Sequence, residues 1–293
     1  MDSPIPGAGT AVITTAVTAS PISDEVELVR ALEQADQGRQ PLITRRWWRV
    51  TLGVALPLAL LGLWQLSTSL GWFSISQLPP PAMVFDAGID LLNRGLLAKF
   101  VAISTQRVVM GFLVGASLGL LLGAVTGLSR SWDQFFGPTL AGIRAVPSLA
   151  WVPLLLLWLK IGEESKVTLI AIGAFFPVYT ITAAALRHVD RQLVEAGRAF
   201  GLRGVHLFTT IQLPAVLPSV ISGLRLALAQ SWLFLVAAEL IAANAGLGFL
   251  LTDSSNTGRV DRLLLAILLL GIIGLLSDSL LRVFERWAIR RWT

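Results

Sequence analysis

The chain has 293 residues, 54% of them hydrophobic and only 14% charged, with a formal net charge of +5. Soluble domains carry about 25% charged residues, so this make-up excludes a water-soluble globule and points to the bilayer as solvent. No cysteine is present, which excludes disulfides, Cys-ligated zinc and thiol catalysis, and the two histidines, His188 and His206, are too few for a metal centre.

Residues 1–44 differ from the rest, being small, polar and proline-spotted, with Val26, Val29, Leu32 and Ala35 spaced as a weak amphipathic helix. They read as a mostly disordered N-terminal tail, with a short docking helix as the alternative. No basic segment precedes an apolar run, so a signal peptide is not expected.

From residue 45 to 293 the chain reads as one all-α polytopic membrane domain with six transmembrane helices. A spanning helix needs about 20 apolar residues, and in lipid a helix satisfies every backbone group within its own segment. The apolar runs are 50–73, 108–128 with a helical lead-in from Leu96, 138–159 interrupted at Pro147 and Pro153, 167–186, 215–242 and 263–284. In the second, Gly111, Gly115, Gly119, Gly123 and Gly127 recur every four residues. That row cuts a groove for close helix packing, within one subunit or at a dimer seam.

Basic residues set the orientation. With the N-terminus inside, Lys and Arg divide about fourteen to six in favour of the cytoplasmic side, which puts both termini there. Trp47, Trp48, Trp72, Trp287 and Trp292 stand at segment ends as interfacial anchors. The basic excess thus reads as membrane topology, and no nucleic acid is expected as a partner.

This orientation places 187–213 in the cytoplasm. Residues 192–200 form two helical turns, Gly201 ends them with a positive φ, and 205–213 start a second short helix before Pro214 opens the fifth span. Val205, Phe208 and Ile211 give that second helix one apolar stripe. The result is a helix-turn-helix elbow joined to two spans.

At the elbow the sequence resembles a known family. Glu195, Ala196, Gly201, Ile211, Leu213 and Pro214 fit the pattern Glu-Ala-Ala, three residues, Gly, nine residues, Ile-x-Leu-Pro, the signature loop of binding-protein-dependent ABC importer permeases. Gly197 stands where the pattern has alanine. The segments 143–166, 173–190 and 231–251 look like the aliphatic sulfonate, taurine and nitrate branch. The resemblance implies a type I (MetI-like) permease in a bacterial inner membrane, importing an aliphatic sulfonate or taurine, with nitrate or bicarbonate as alternatives. It implies that Glu195, Ala196, Gly197, Gly201, Leu202, Ile211, Leu213 and Pro214 couple the chain to a cytoplasmic ABC ATPase. Glu195 would meet a basic residue there, and Gly201 would set the bend. The chain itself has no G-x-x-x-x-G-K-[ST] loop, so it is not expected to be an enzyme; ATP and Mg would sit on two ATPase copies. A second permease copy, a periplasmic solute-binding protein and membrane lipid are the other implied partners.

Arg144 and Arg225 lie inside apolar runs, where charge is costly and a functional role is the default. They contact a substrate anion or pair with Asp278; Trp151 and Trp232 line the cavity or pack between helices. A gradient-driven carrier would need buried acids and an inverted repeat, and an intramembrane enzyme a nucleophile and base at depth. Neither constellation is evident.

Overall fold

A computed structural model describes residues 46–292. The tail expected over 1–44 lies outside the described residues. By internal packing the chain divides after Leu63. Helix α1 (Arg46–Ser69) runs across that boundary, and the remaining helices belong to the second unit.

Helix α1 has 24 residues, and its described apolar stretch is Gly53–Ser69. Within that stretch the Trp64 Nε1 donates to the Pro79 carbonyl at 3.0 Å and folds the connection back. Pro81 then opens α2 (Pro81–Asn93), where its missing N–H costs nothing. Its 13 residues reach only about 20 Å, so α2 does not cross. It corresponds to no predicted span, and it buries Val84, Ala87 and Leu91.

Helix α3 (Leu96–Leu128) absorbs the predicted lead-in and the second run into one rod. The predicted third span over 138–159 is instead two pieces. Helix α4 (Arg130–Ala145) is followed, after a bend of 87°, by a 3-10 turn (Ser148–Trp151) and α5 (Val152–Leu159). The cause is Pro147, whose ring forces the residue before it out of the helical region; Val146 has φ −73° and ψ 125°.

Helix α6 (Glu163–Arg187) leads to α7 (Arg191–Ala199), and then to α8 (Gly204–Leu207), a π turn (Phe208–Gln212) and α9 (Leu213–Ala242). Helices α10 (Leu247–Asn256) and α11 (Val260–Trp292) close the chain. By length and composition, α3, α6, Gly204–Ile241 and Val260–Ala288 can each cross a membrane, and the bent α4–α5 pair makes a fifth crossing if it counts as one span. With α1, this arrangement is consistent with six.

Helix α6 is the hub. One side meets the glycine row of α3 and the other meets α9. Along the first seam Gly111 faces Ile170, Gly115 faces Ala171 and Ala174, Gly119 faces Val178, Gly123 faces Thr182 and Gly127 faces Leu186. All five glycines therefore pack within the subunit. On the second seam Phe234 of α9 lies against Gly173 and Ile181 of α6 against Gly223. Leu169, Ile170, Trp232 and Leu235 fill the space between, with Ala174, Val178 and Ala227 one layer further.

These contacts make a prediction. A Cβ on Gly115 would collide with the Ala171 carbonyl oxygen and come within 2.9 Å of the Ala174 Cβ, neither of which is the end of a flexible chain. Gly115→Ala is expected to cost about 1–3 kcal/mol of stability. Gly271 of α11 has nothing within 4 Å, and Gly271→Ala is expected to gain about 0.5–1 kcal/mol from helix propensity alone. Thermal unfolding of the two purified variants in detergent should show shifts of opposite sign.

Candidate transport pathway and partner-facing elbow

The segment between α6 and α9 folds as a tight elbow. Asp190 caps α7, its Oδ1 accepting from the Gln192 N–H at 2.8 Å. At the other end Gly201 takes φ +83°. The Leu202 N–H donates to the Gly197 carbonyl at 3.0 Å and the Gly201 N–H to the Arg198 carbonyl at 2.9 Å. That pair of bonds is a Schellman closure, which needs a residue with positive φ at the position of Gly201. Gly197 is buried, and a Cβ there would meet the ends of Ile211 and Leu207. Small size at this position lets α7 lie directly on the chain that returns to the membrane.

That return differs from the expected second short helix. Residues 204–241 form one continuous helix, with the π turn Phe208–Gln212 inside it. Pro214 sits in the first turn after the π segment. The proposed stripe is split as a result: Val205 is 78% exposed, Phe208 packs beside Leu186 and Val216, and Ile211 covers Gly197. Glu195 and Ala196 are exposed on α7, and Leu202, Ile211, Leu213 and Pro214 are half-buried. Glu195 makes no ion pair among the described residues. Leu193 and Phe200 of the same segment are also exposed, Phe200 by 87%.

At the opposite end of the same helices lies a buried polar lock. The Glu239 side chain is 0% exposed. It accepts from the Arg107 Nη1 at 2.6 Å, from the Ser104 Oγ at 2.8 and 3.0 Å, and from the Gly248 N–H at 2.7 Å. The Ser104 Oγ in turn accepts from the Leu247 N–H at 2.8 Å. The Arg107 Nη1 also donates to the Ala245 carbonyl at 2.6 Å, while its Nε and Nη2 donate to Glu163 at 2.6 and 2.5 Å. Lys166 Nζ joins Glu163 at 3.1 Å. The loop after α9 fits only because Gly246 (φ +123°) and Gly248 leave the carboxylate room; a Cβ on either would strike Glu239. Burying these charges is tolerable because each is paired and hydrogen-bonded.

The structure separates the two arginines singled out in the sequence. Arg225 is neutralised: its Nε and Nη2 donate to Asp278 at 3.0 and 3.2 Å, and its Nη1 donates to Glu285 at 3.2 Å. Asp278 also accepts from Arg282 at 2.8 Å. Arg144 does not reach Asp278. Its Nη1 donates to the Thr180 Oγ1 at 3.1 Å, and it borders a cavity of about 260 Å³ with Tyr179 and Arg187. Among the described residues it makes no ion pair. Trp151 borders an apolar cavity of about 460 Å³ with Trp158, Phe175 and Phe176. Trp232 is buried in the core, its Nε1 donating to the Ser277 Oγ at 2.9 Å, and it lines none of these cavities.

Arg107, Ser104 and Glu163 escaped the sequence reading. Arg107 stands one residue before the apolar run 108–128. The available signal was the one that marked Arg144 and Arg225, a cation inside a spanning helix; it emerges once α3 is drawn from Leu96.

Comparison with known proteins agrees with this geometry. Residues 115–290 match the family of binding-protein-dependent transport system inner membrane components. A relative from Escherichia coli (strain K12), named as an aliphatic sulfonates transport permease, is 40% identical over 235 residues, 80% of this chain and 89% of its own. A relative of the same name from Bacillus subtilis (strain 168) is 37% identical over 80% of this chain and 85% of its own. Among solved structures, a chain of the MetNI methionine ABC transporter in an inward-facing conformation superposes with TM-score 0.57 at 19% identity, covering 68% of this chain and 96% of that one. The chain belongs to this family of multi-pass inner-membrane ABC importer permeases, on the branch that includes the two sulfonate permeases. Both relatives carry the name of a transport permease protein.

The lock makes a second prediction. Glu239→Leu strands Arg107 and the Gly248 N–H in a buried site and is expected to cost about 3–5 kcal/mol. Ser104→Ala leaves the Leu247 N–H without its acceptor and is expected to cost about 1–3 kcal/mol. Thermal unfolding should rank both variants below the wild type, with Glu239→Leu the lower.

Proposed function

We propose that this chain forms the translocation path of an ATP-driven importer for a small organic anion, an aliphatic sulfonate or taurine. Two copies would pair around the path, with both termini in the cytoplasm, residues 45–293 as the transport domain and 1–44 as an N-terminal tail. A cytoplasmic ABC ATPase, two copies per assembly, would bind ATP and Mg and seat the elbow. A periplasmic solute-binding protein would deliver the substrate. Nucleotide-driven movement of the elbow would bias an existing equilibrium between inward- and outward-open states.

The observation that carries the reading is the elbow. It exposes Leu193, Phe200 and Val205 together with Glu195, which makes no ion pair among the described residues, and its second arm is the start of a helix long enough to cross the bilayer. Exposed apolar side chains and an available carboxylate suit a basic groove on a partner, and a continuous helix transmits its displacement. The sulfonate assignment rests on the names of the two relatives. Arg144 supports it, since its Nε and Nη2 have no hydrogen-bond partner among the described residues and suit a permanently charged anion.

The test uses the permease co-assembled with its ATPase in proteoliposomes, with ethanesulfonate and taurine as substrates of the cognate binding protein. Glu195→Arg and Gly201→Val are expected to lower substrate-stimulated ATP hydrolysis more than tenfold, the second because a β-branched residue at φ +83° costs about 1–2 kcal/mol and opens the elbow. An unchanged rate in both variants would show that the elbow does not couple this chain to the ATPase. Arg144→Gln is expected to reduce uptake several-fold with the basal ATPase retained, read by labelled-taurine accumulation.

A further inference from the structure

Arg107 has two distinct halves. Its Nη1 is held by Glu239 and the Ala245 carbonyl, so the guanidinium is fixed in place. Its Nε and Nη2 form a planar fork that faces a cavity of about 370 Å³, with Lys166, Glu163, Gln106, Met110 and Asn244 on its wall. Ligand pockets span roughly 300–1,000 Å³. Both cations are buried, with side-chain exposures of 5% for Arg107 and 7% for Lys166, whereas Glu163 is 62% exposed. The lining therefore holds two fixed cations and one carboxylate that opens to solvent.

The charges decide what fits. Arg107 and Lys166 balance Glu163 and Glu239, so a further anion enters only if a carboxylate leaves. Glu239 cannot leave, because it is fully enclosed and holds two backbone N–H groups through itself and Ser104. Glu163 can, since its side chain is already largely open to solvent and regains hydration as it gives up its bonds to Arg107 and Lys166. The vacated donors are a guanidinium fork and one ammonium. A sulfonate presents three oxygens on one face: two match the fork, which favours bidentate oxyanions, and the third matches Lys166 Nζ. Met110 offers apolar surface to a short alkyl chain, and Gln106 and Asn244 offer polar groups to its far end.

We propose that the Arg107 fork and Lys166 form an entry site for an organic sulfonate, and that Glu163 occupies it as an internal stand-in anion until the substrate displaces it. This rests on the anion-import reading above. It adds a site at the end of the bundle away from the elbow, the face on which a delivered substrate arrives if the elbow is cytoplasmic.

The two flanking residues give the proposal a signature that simple destabilisation does not share. Glu163→Gln keeps the shape and removes the competing charge, so it is expected to tighten ethanesulfonate binding about tenfold. Lys166→Gln removes one donor and is expected to weaken binding by a similar factor. Both are measured by titration calorimetry on the permease–ATPase complex in lipid nanodiscs, with taurine as a second probe. Shifts in opposite directions support the site. Equal affinities, or shifts in the same direction, overturn it. Uptake by the wild-type complex separates the two levels. If neither probe is imported, the anion-import reading fails and the site with it. If a probe is imported while binding ignores both substitutions, only the site fails.

Discussion

The close approach of α3 and α6 is the constraint on which the rest of the molecule depends. In lipid no hydrophobic drive pulls helices together, because the solvent is as apolar as the side chains. Association rests on dispersion at short range, which falls away within a fraction of an ångström. Five glycines on one face of α3 let its backbone lie against the β-carbons and carbonyl oxygens of α6 over the whole seam. The opposite side of α6 repeats the device in mixed form, with Phe234 seated on Gly173 and Gly223 receiving Ile181. Three helices are thereby held at fixed depth relative to one another.

That fixed depth is what allows chemistry at both ends. The lock requires Ser104 and Arg107 of α3, Glu163 and Lys166 of α6, and Glu239 of α9 to arrive at one level within hydrogen-bond distance. At the other end the same α6 and α9 emerge as the two roots of the elbow. Force applied to the elbow thus enters the two helices whose far ends close the lock. The π turn at Phe208–Gln212 lies at the elbow end of α9, and π segments often mark functional positions within helices.

Much of this was legible from the residues. The four-residue glycine repeat specified a packing face, because helical geometry places such a row on one side whatever surrounds it. Gly201 between two short amphipathic stretches implied a turn with positive φ, and the structure has it at +83°. Pro147 was read as an interruption, but not as a bend of 87°, since a proline breaks local hydrogen bonds without dictating the direction in which the chain resumes. Helix α2 was missed because 13 residues with a single apolar stripe do not stand out against long runs of apolar sequence.

The sequence by itself determined the solvent, the helical class, the breaks at Pro147 and Gly201 and the small faces. All of these follow from composition and local periodicity. Only the tertiary structure decided which charges are partners. Arg107 and Glu239 are separated by 132 residues, and Arg225 and Asp278 by 53. The cost of a charge in a membrane depends on what lies beside it in space, and a linear chain does not carry that information. For the same reason two arginines that looked equivalent proved different: Arg225 is spent on carboxylates, while Arg144 bonds a threonine beside a cavity.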